Sequence, residues 1–193
     1  MGQPLCAGCA EDLPWRREMI HVQDLPVQIA FAYQWPINRL IHLYKYQARL
    51  EFMSIFEYGL SQLEPPEADA LLAVPVSLDR LRERGFNQSH EIAKRMADYW
   101  SMPLLNHIKR REGVRQKGLG RSERLQNLED AFEVEQKTTT RLPKRIVLID
   151  DVLTTGNTLL SLATYLRAQG VEQVSAFVVA SQHQYRALNS TLF

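Results

Sequence analysis

The segment 145–180 constrains the fold of this chain more than any other part of it. An apolar, β-branched run occupies 145–150, a polar loop follows, and leucines then recur at helical spacing. Gly170 is typical of a helix end, and a second β-branched run covers 174–180. Strand, loop, helix and strand within about 35 residues form a βαβ unit, whose strands are parallel and whose crossover is right-handed. The sequence therefore predicts an α/β fold built on a parallel sheet.

The other elements are predicted from the same periodicities, with proline and glycine marking their ends. The Glu-Pro-Pro-Glu sequence at 64–67 interrupts a helical pattern, and we place a domain boundary near it. The predicted elements are a strand at 27–35, a helix from Pro36, a helix at 52–63, a strand at 68–76, a turn at Gly85, a helix capped by Ser89, and a short helix at 122–127. The predicted regions are an irregular cysteine-containing segment at 1–25, a strand with helices at 26–66, and the main domain at 67–193.

Composition and charge exclude several classes of protein. With 45% hydrophobic and 23% charged residues, the chain is typical of a globular protein and not of a disordered one. No apolar stretch approaches the ~20 residues of a membrane helix, and the N-terminal residues lack the hydrophobic run of a secretory signal. We therefore expect a cytoplasmic protein with no membrane span. A formal net charge of +1 does not by itself indicate a nucleic-acid partner.

The loop after the predicted strand at 145–150 has the composition of a phosphate site. In a parallel sheet, ligands bind beyond the carboxyl ends of the strands, where loops lead into helix N-termini. Thr154, Thr155 and Thr158 offer hydroxyl groups there, and Gly156 lets the backbone approach an anion closely. The free N–H groups and the dipole of the following helix add to this attraction, so the loop is predicted to bind a phosphate group.

Two adjacent acids, Asp150 and Asp151, precede this loop. Their charge would repel a phosphate at close range, so they require other partners. The vicinal hydroxyls of a sugar, with or without a Mg²⁺ ion, satisfy them, which predicts a phosphorylated pentose as the ligand. A structural alternative is that both acids only end the strand and cap the helix, a role in which Asp is common.

Basic residues are concentrated between positions 109 and 124. Seven Lys or Arg residues and two acids give this segment a local charge of +5. A mobile loop is one interpretation. A solvated loop and a track for single-stranded nucleic acid are the alternatives.

The residues of 146–158, IVLIDDVLTTGNT, resemble the phosphoribosyl pyrophosphate (PRPP) motif of type I phosphoribosyltransferases. More narrowly, the chain resembles the ComF/GntX family through VPVSLDRLRERGFNQS at 74–89, through RSERLQNLEDAF at 121–132, and through CAGC near the start. This resemblance implies the parallel sheet of the type I phosphoribosyltransferase fold, with a small and partly irregular N-terminal region. It also implies Mg²⁺ as a cofactor.

The resemblance further implies a role for each part of the site. The family's PRPP loop corresponds to the residues Asp150, Asp151, Val152, Thr154, Thr155, Gly156, Asn157 and Thr158. The acids would lie on the ribose hydroxyls, and Asp150 or Asp151 would stabilise the positive charge that develops on the ribose as pyrophosphate leaves. The pyrophosphate loop would lie at 76–84 and a flexible hood at 113–124. The side chains implied in these two segments are Arg80, Arg84, Arg115, Lys117 and Arg124.

Cys6 and Cys9 form a single C-x-x-C pair. The family typically has two such pairs, which together provide the four ligands of a structural zinc site. In this chain either His21 or His42 completes a Zn²⁺ site, or the chain begins inside a longer zinc module and the site is incomplete. Both alternatives stay open.

Three functions follow as hypotheses. The first is a PRPP-binding protein of ComF type, linked to competence and DNA uptake or to nucleotide metabolism. The second is a Mg²⁺-dependent phosphoribosyltransferase that transfers ribose 5-phosphate from PRPP to a nitrogen base. The third is a non-enzymatic module that binds single-stranded DNA and competence proteins. The sequence names neither the acceptor base nor the oligomeric state, for which a homodimer is one alternative.

Overall fold

The computed structural model describes residues 4–111, 132–134 and 141–182. The strands are β1 (Trp15–Val22), β2 (Leu25–Ala32), β3 (Ala70–Ala73), β4 (Leu104–Leu105), β5 (Ile108–Arg110), β6 (Phe132–Val134), β7 (Arg145–Leu153) and β8 (Gln173–Ser181). The helices are α1 (Ala7–Glu11), α2 (Ile37–Gln47), α3 (Met53–Ser61), α4 (Leu78–Arg84), α5 (Gln88–Trp100) and α6 (Asn157–Ala168), with a 3₁₀ turn at Leu50–Phe52. Within these ranges no helix has the length and apolar character that crossing a membrane requires. The helix predicted at 122–127 lies outside the described residues.

Six strands form one sheet in the order β1-β2-β8-β7-β3-β4. Every neighbouring pair is parallel except β1 and β2, which are antiparallel. The central strand β7 carries an apolar run from Ile146 to Ile149 that is buried throughout, as expected for a strand covered on both faces. The predicted βαβ unit and the α/β class with a mostly parallel sheet are therefore confirmed.

Two apolar clusters cover the two faces of this sheet. Alternate residues of each strand point to opposite faces, so Val147 and Ile149 of β7 join one cluster and Ile146 and Leu148 join the other. Helices α2, α3 and α5 contribute to the first cluster. Helix α6 and the β5–β6 pair contribute to the second. The carboxyl ends of β3 and β7 consequently lie between helices that pack on opposite faces.

The prediction of an irregular segment at 1–25 is wrong. The structure has α1 and the eight-residue strand β1 there, joined to β2 by a two-residue turn at Gln23 and Asp24. Strand β1 lies at the edge of the sheet, where one side faces solvent and charged side chains are common. A register shift between Trp15 and Glu18 also breaks the alternation of apolar and polar residues that normally indicates a strand.

The boundary predicted near 64–67 does not separate two cores. Strand β2 precedes this position and pairs with β8, which follows it. Likewise, Phe56 and Leu60 of α3 belong to the same buried cluster as Ile92 of α5. The regions predicted as 26–66 and 67–193 therefore share one sheet and one packed face.

Candidate functional site

The loop between β7 and α6 lies at the carboxyl end of the central strands. Strand β7 ends at Leu153 and α6 begins at Asn157, so Thr154, Thr155 and Gly156 form the whole connection. The neighbours of β7 are β8 and β3, and both run parallel to it. This is the position where ligands bind in parallel sheets.

The threonines of the loop are open to solvent at the start of α6. Thr154, Thr155 and Asn157 are exposed, and Thr158 is partly buried. The Thr155 hydroxyl accepts a long hydrogen bond, 3.5 Å, from the Asn157 N–H. Because Gly156 is the N-cap and has no side chain, it leaves the first N–H groups of α6 without the usual side-chain cap. Hydroxyl and amide donors thus surround the positive end of a three-turn helix.

Gly156 has a structural role that the sequence did not predict. Its φ is +77°, and it is buried. A Cβ atom at this position would lie 2.5 Å from Cγ1 of Val22, the last residue of β1. The glycine is therefore required by its backbone angle and by a close protein contact, whereas the sequence analysis explained it by the approach of an anion. Val152, also predicted for the site, is partly buried and packs against the first apolar cluster.

Asp150 and Asp151 contact different elements. Asp150 Oδ1 accepts a 2.7 Å hydrogen bond from the Ser89 hydroxyl and a 2.9 Å bond from the Asp151 N–H. Asp151 is 7% exposed, and its Oδ1 lies 2.9 Å from Nζ of Lys45. The acid pair is thus held by α5 on one side and by α2 on the other.

The Ser89 hydroxyl is positioned by the start of α5. The predicted cap of this helix is Ser89, but the structure has Asn87 as the N-cap. The Asn87 side chain accepts hydrogen bonds from the N–H groups of Ser89 and His90 at 3.1 and 3.4 Å, and donates one to the Val74 carbonyl at 3.1 Å. Because Asn87 satisfies the helix end, the Ser89 hydroxyl is free to bond Asp150.

Burial and repulsion from Asp151 raise the pKa of Asp150 to about 7, although the bond from Ser89 lowers it in part. Between pH 4 and 7 the folded protein therefore retains a proton that the unfolded chain has released. Stability must fall as pH rises through this window, because the folded state binds more protons than the unfolded state.

Asp150→Asn removes this titration while it keeps an oxygen that accepts from Ser89. We expect the unfolding free energy of the variant, relative to that of the wild type, to increase by about 1–3 kcal/mol from pH 4.5 to pH 7.5. Urea denaturation at both pH values measures this gain. A stability difference that is the same at the two pH values would contradict the raised pKa.

The predicted pyrophosphate segment 76–84 is mostly helix. The Ser77 hydroxyl caps α4, and Gly85, at φ +79°, ends it. The Arg84 guanidinium donates to Gln88 Oε1 and to the Tyr46 hydroxyl, both at 3.2 Å, and lies 5.0 Å from the centre of the Tyr46 ring. Arg84 therefore connects α4 to α2 and α5, the helices that carry Lys45 and Ser89.

Arg80 lies near Arg110, which lines a cavity of about 680 Å³ between α4 and the β5–β6 pair. Leu78, Leu81 and Arg110 are among the residues that line it. Burial lowers the pKa of Arg110, and the nearby charge of Arg80 lowers it further. The cavity is next to the predicted pyrophosphate segment, and its described lining includes none of the residues 150–158. Arg84 therefore contacts the two helices that hold the acid pair, whereas Arg80 lies near Arg110.

Three residues predicted for the hood, Arg115, Lys117 and Arg124, lie outside the described residues.

The cysteine pair is described: both thiols are exposed, and Cys6 Sγ accepts a 3.5 Å bond from the Cys9 N–H. In the described ranges, no group of three or more His, Cys, Asp or Glu residues is arranged to hold a metal. Neither His21 nor His42 therefore completes the zinc site there.

Sequence analysis missed Lys45 and the role of Ser89 in the site. Lys45 is in the last turn of α2, where a basic residue is common for reasons of helix electrostatics alone. Its partner Asp151 is far away in the sequence, and no local pattern links the two positions. The one available signal was the unpaired charge of Asp151 itself, which requires a counter-ion when buried.

Comparison with known proteins places these observations in a family. The phosphoribosyl transferase domain model matches residues 81–192. Competence protein F of Haemophilus influenzae is 30% identical over 187 residues, covering 91% of this chain and 77% of the relative. Competence protein ComFC of Streptococcus pneumoniae is 28% identical, covering 92% and 76%. DNA utilization protein YhgH of Salmonella typhi is 27% identical, covering 89% and 75%.

Proposed function

This chain belongs to the phosphoribosyl transferase domain family and to the ComF family, and from that premise we propose that it binds PRPP at the β7–α6 loop. The observation that carries the proposal is the juxtaposition of an acid pair, of which Asp151 is buried and Asp150 is partly buried, with an open helix start. Asp151 is 7% exposed, whereas Thr154 and Thr155, three and four residues later, face solvent. A sugar phosphate is complementary to these two parts. Its hydroxyl groups can donate to the acids, and its phosphate dianion can accept from the donors at the helix start.

The phosphate end fits the start of α6. Hydroxyl groups of Thr154, Thr155 and Thr158 and the N–H groups of the first turn all act as donors toward an anion. Gly156 keeps this turn in the required shape, since its φ of +77° is unfavourable for other residues. We assign the 5′-phosphate of PRPP to this turn.

The ribose end fits Asp150 and Asp151. The contacts of these acids with Ser89, the Asp151 N–H and Lys45 all use Oδ1. In the described part of the chain, Oδ2 of each carboxylate has no such contact and is available to accept from the ribose hydroxyls. Arg84 contacts α5 through Gln88 and α2 through Tyr46, and we assign its positive charge to the pyrophosphate.

Mg²⁺ is implied by the family, and the acid pair does not fit it as a direct ligand set. The Lys45 ammonium lies 2.9 Å from Asp151, and Asp150 already accepts two hydrogen bonds. A divalent ion bound through the remaining Oδ2 atoms would lie beside the Lys45 ammonium, whose positive charge repels it.

Transfer of the phosphoribosyl group to a nitrogen base is the second candidate function. As pyrophosphate leaves, positive charge develops on the ribose, and a fixed carboxylate beside the ring stabilises that charge. Asp151 is such a carboxylate, because burial and the contact with Lys45 hold it in place. Release of pyrophosphate from PRPP in the presence of individual nucleobases tests this function.

Calorimetric titration with PRPP at saturating Mg²⁺ tests the binding proposal. We expect Asp151→Asn to bind at least about tenfold more weakly, because a hydrogen bond to a charged acceptor contributes about 1.5–3 kcal/mol. Asp69→Asn is the matched control, since Asp69 pairs with Arg145 at 2.7 Å at the opposite end of β3 and β7. Absence of binding heat with the wild type, or equal affinity of wild type and Asp151→Asn, would refute the proposal.

The names of the relatives support a role connected with the use of DNA. A single-stranded DNA track along 109–124 has less support from the described residues. Arg111 is paired with Glu133 at 3.2 Å, and Arg110 lines the cavity. A cytoplasmic location and a homodimer stay predictions.

A further inference from the structure

Lys45 is fixed against the acid pair and is not a mobile surface lysine. The side chains of Lys45 and Asp151 are 17% and 10% exposed, and Nζ lies 2.9 Å from Oδ1. Helix α2, which carries Lys45, is anchored by Ile37, Ile41 and Tyr44, all fully buried. The Tyr44 hydroxyl also donates a 3.1 Å bond to the Gln88 carbonyl, next to Ser89. The packing of α2 therefore places a positive charge on Asp151.

A cation at this position competes with a divalent metal. Mg²⁺ and Mn²⁺ bind proteins through one or two carboxylates together with waters and substrate oxygens. Asp151 is one of the two carboxylates that could serve at this position, and its Oδ1 is already occupied by an ammonium group. Two nearby positive charges would also repel each other strongly in a partly buried site.

We propose that Lys45 is the resident cation of this site and excludes divalent metal from Asp150 and Asp151. The consequence for the ligand, which rests on the proposed function, is that the sugar-phosphate part of PRPP binds without a metal on the acid pair. Any Mg²⁺ that accompanies PRPP is then carried by the pyrophosphate oxygens.

Titration of the full chain with Mn²⁺ alone, followed by electron paramagnetic resonance of the free ion, tests the exclusion without any sugar ligand. We expect the wild type and Asp151→Asn to bind Mn²⁺ equally, because the wild type has no Mn²⁺ site at the acid pair. Lys45→Met and Lys45→Gln should gain a site that binds Mn²⁺ at least tenfold more tightly than the wild type does. The double variant Lys45→Met/Asp151→Asn should lose this site, and Lys45→Arg, which keeps the charge, should not gain it.

Two results would overturn the proposal. One is a wild-type Mn²⁺ site that Asp151→Asn abolishes, a measurement that requires no Lys45 variant to fold. The other is folded Lys45→Met or Lys45→Gln protein, checked by circular dichroism, with the Mn²⁺ affinity of the wild type.

Ribose 5-phosphate separates this proposal from the proposed function, because it lacks the pyrophosphate that chelates metal. With a chelator present, calorimetry should show binding to the wild type and at least tenfold weaker binding to Lys45→Met, restored by Lys45→Arg. If no sugar phosphate binds the wild type but the Mn²⁺ results hold, the proposed function fails and the role of Lys45 stands. If sugar phosphates bind but Lys45→Met gains no Mn²⁺ site, the role of Lys45 fails alone.

Discussion

Gly156→Ala is expected to lower the free energy of unfolding by about 2–4 kcal/mol, which corresponds to a melting temperature lower by about 5–10 °C. A side chain at φ +77° costs about 1–2 kcal/mol. The new Cβ would also lie 2.5 Å from Cγ1 of Val22, and a β-branched side chain has little freedom to move away. Relief of this contact shifts the loop that carries Thr154 and Thr155, so the affinity for PRPP that we propose should fall as well.

Gly85→Ala is the matched control for this prediction. Gly85 has nearly the same backbone angle, φ +79°, but a Cβ atom there would meet nothing within 4 Å. The variant should lose only the conformational part, about 1 kcal/mol. Chemical denaturation of both variants isolates the contribution of the contact with Val22. Equal losses in the two variants would show that this contact has no energetic importance.

Gly59→Ala is expected to destabilise the fold by about 2–4 kcal/mol, although alanine favours helices over glycine by about 1 kcal/mol. A Cβ at Gly59 would lie 2.2 and 2.5 Å from two ring atoms of Phe31. Phe31 is fully buried on β2 and packs against Trp15 at a centroid distance of 4.6 Å, so the ring has no space into which to move. The overlap therefore outweighs the gain in helix propensity.

Thermal unfolding measures this loss, with Gly8→Ala as the control. Gly8 lies in the exposed helix α1, and a Cβ there meets no atom within 4 Å. Its replacement should change the melting temperature by no more than about 2 °C. If Gly59→Ala were as stable as the wild type, the contact between α3 and β2 would be more adaptable than the structure indicates.

The elements of the βαβ unit were predictable because each depends on a local pattern. The strands predicted at 145–150 and 174–180 correspond to β7 and β8, and the leucine pattern between them corresponds to α6. Buried strands of a parallel sheet are apolar on both faces, which makes them visible as continuous runs. The edge strand β1 has no such run, and its register shift removes the alternation that would replace it.

The site was predictable in part for the same reason. The loop Thr154–Thr158 and the acids Asp150 and Asp151 are adjacent in sequence, so their residue types could be interpreted together. Lys45 and Ser89 reach these acids from other helices. Their side chains are of common types in ordinary helical positions, and they acquire a role in the site only when α2 and α5 pack on the sheet.

The α/β class, the family and the proposed place of the site after β7 followed from the sequence alone, because hydrophobic periodicity and the order of residues in one loop are properties of short segments. Only the tertiary structure decided which residues of separate segments come into contact. The sheet order β1-β2-β8-β7-β3-β4 brings Val22 to Gly156, and the packing of α2 brings Lys45 to Asp151. Such contacts depend on how separate segments pair and pack, which no single segment encodes.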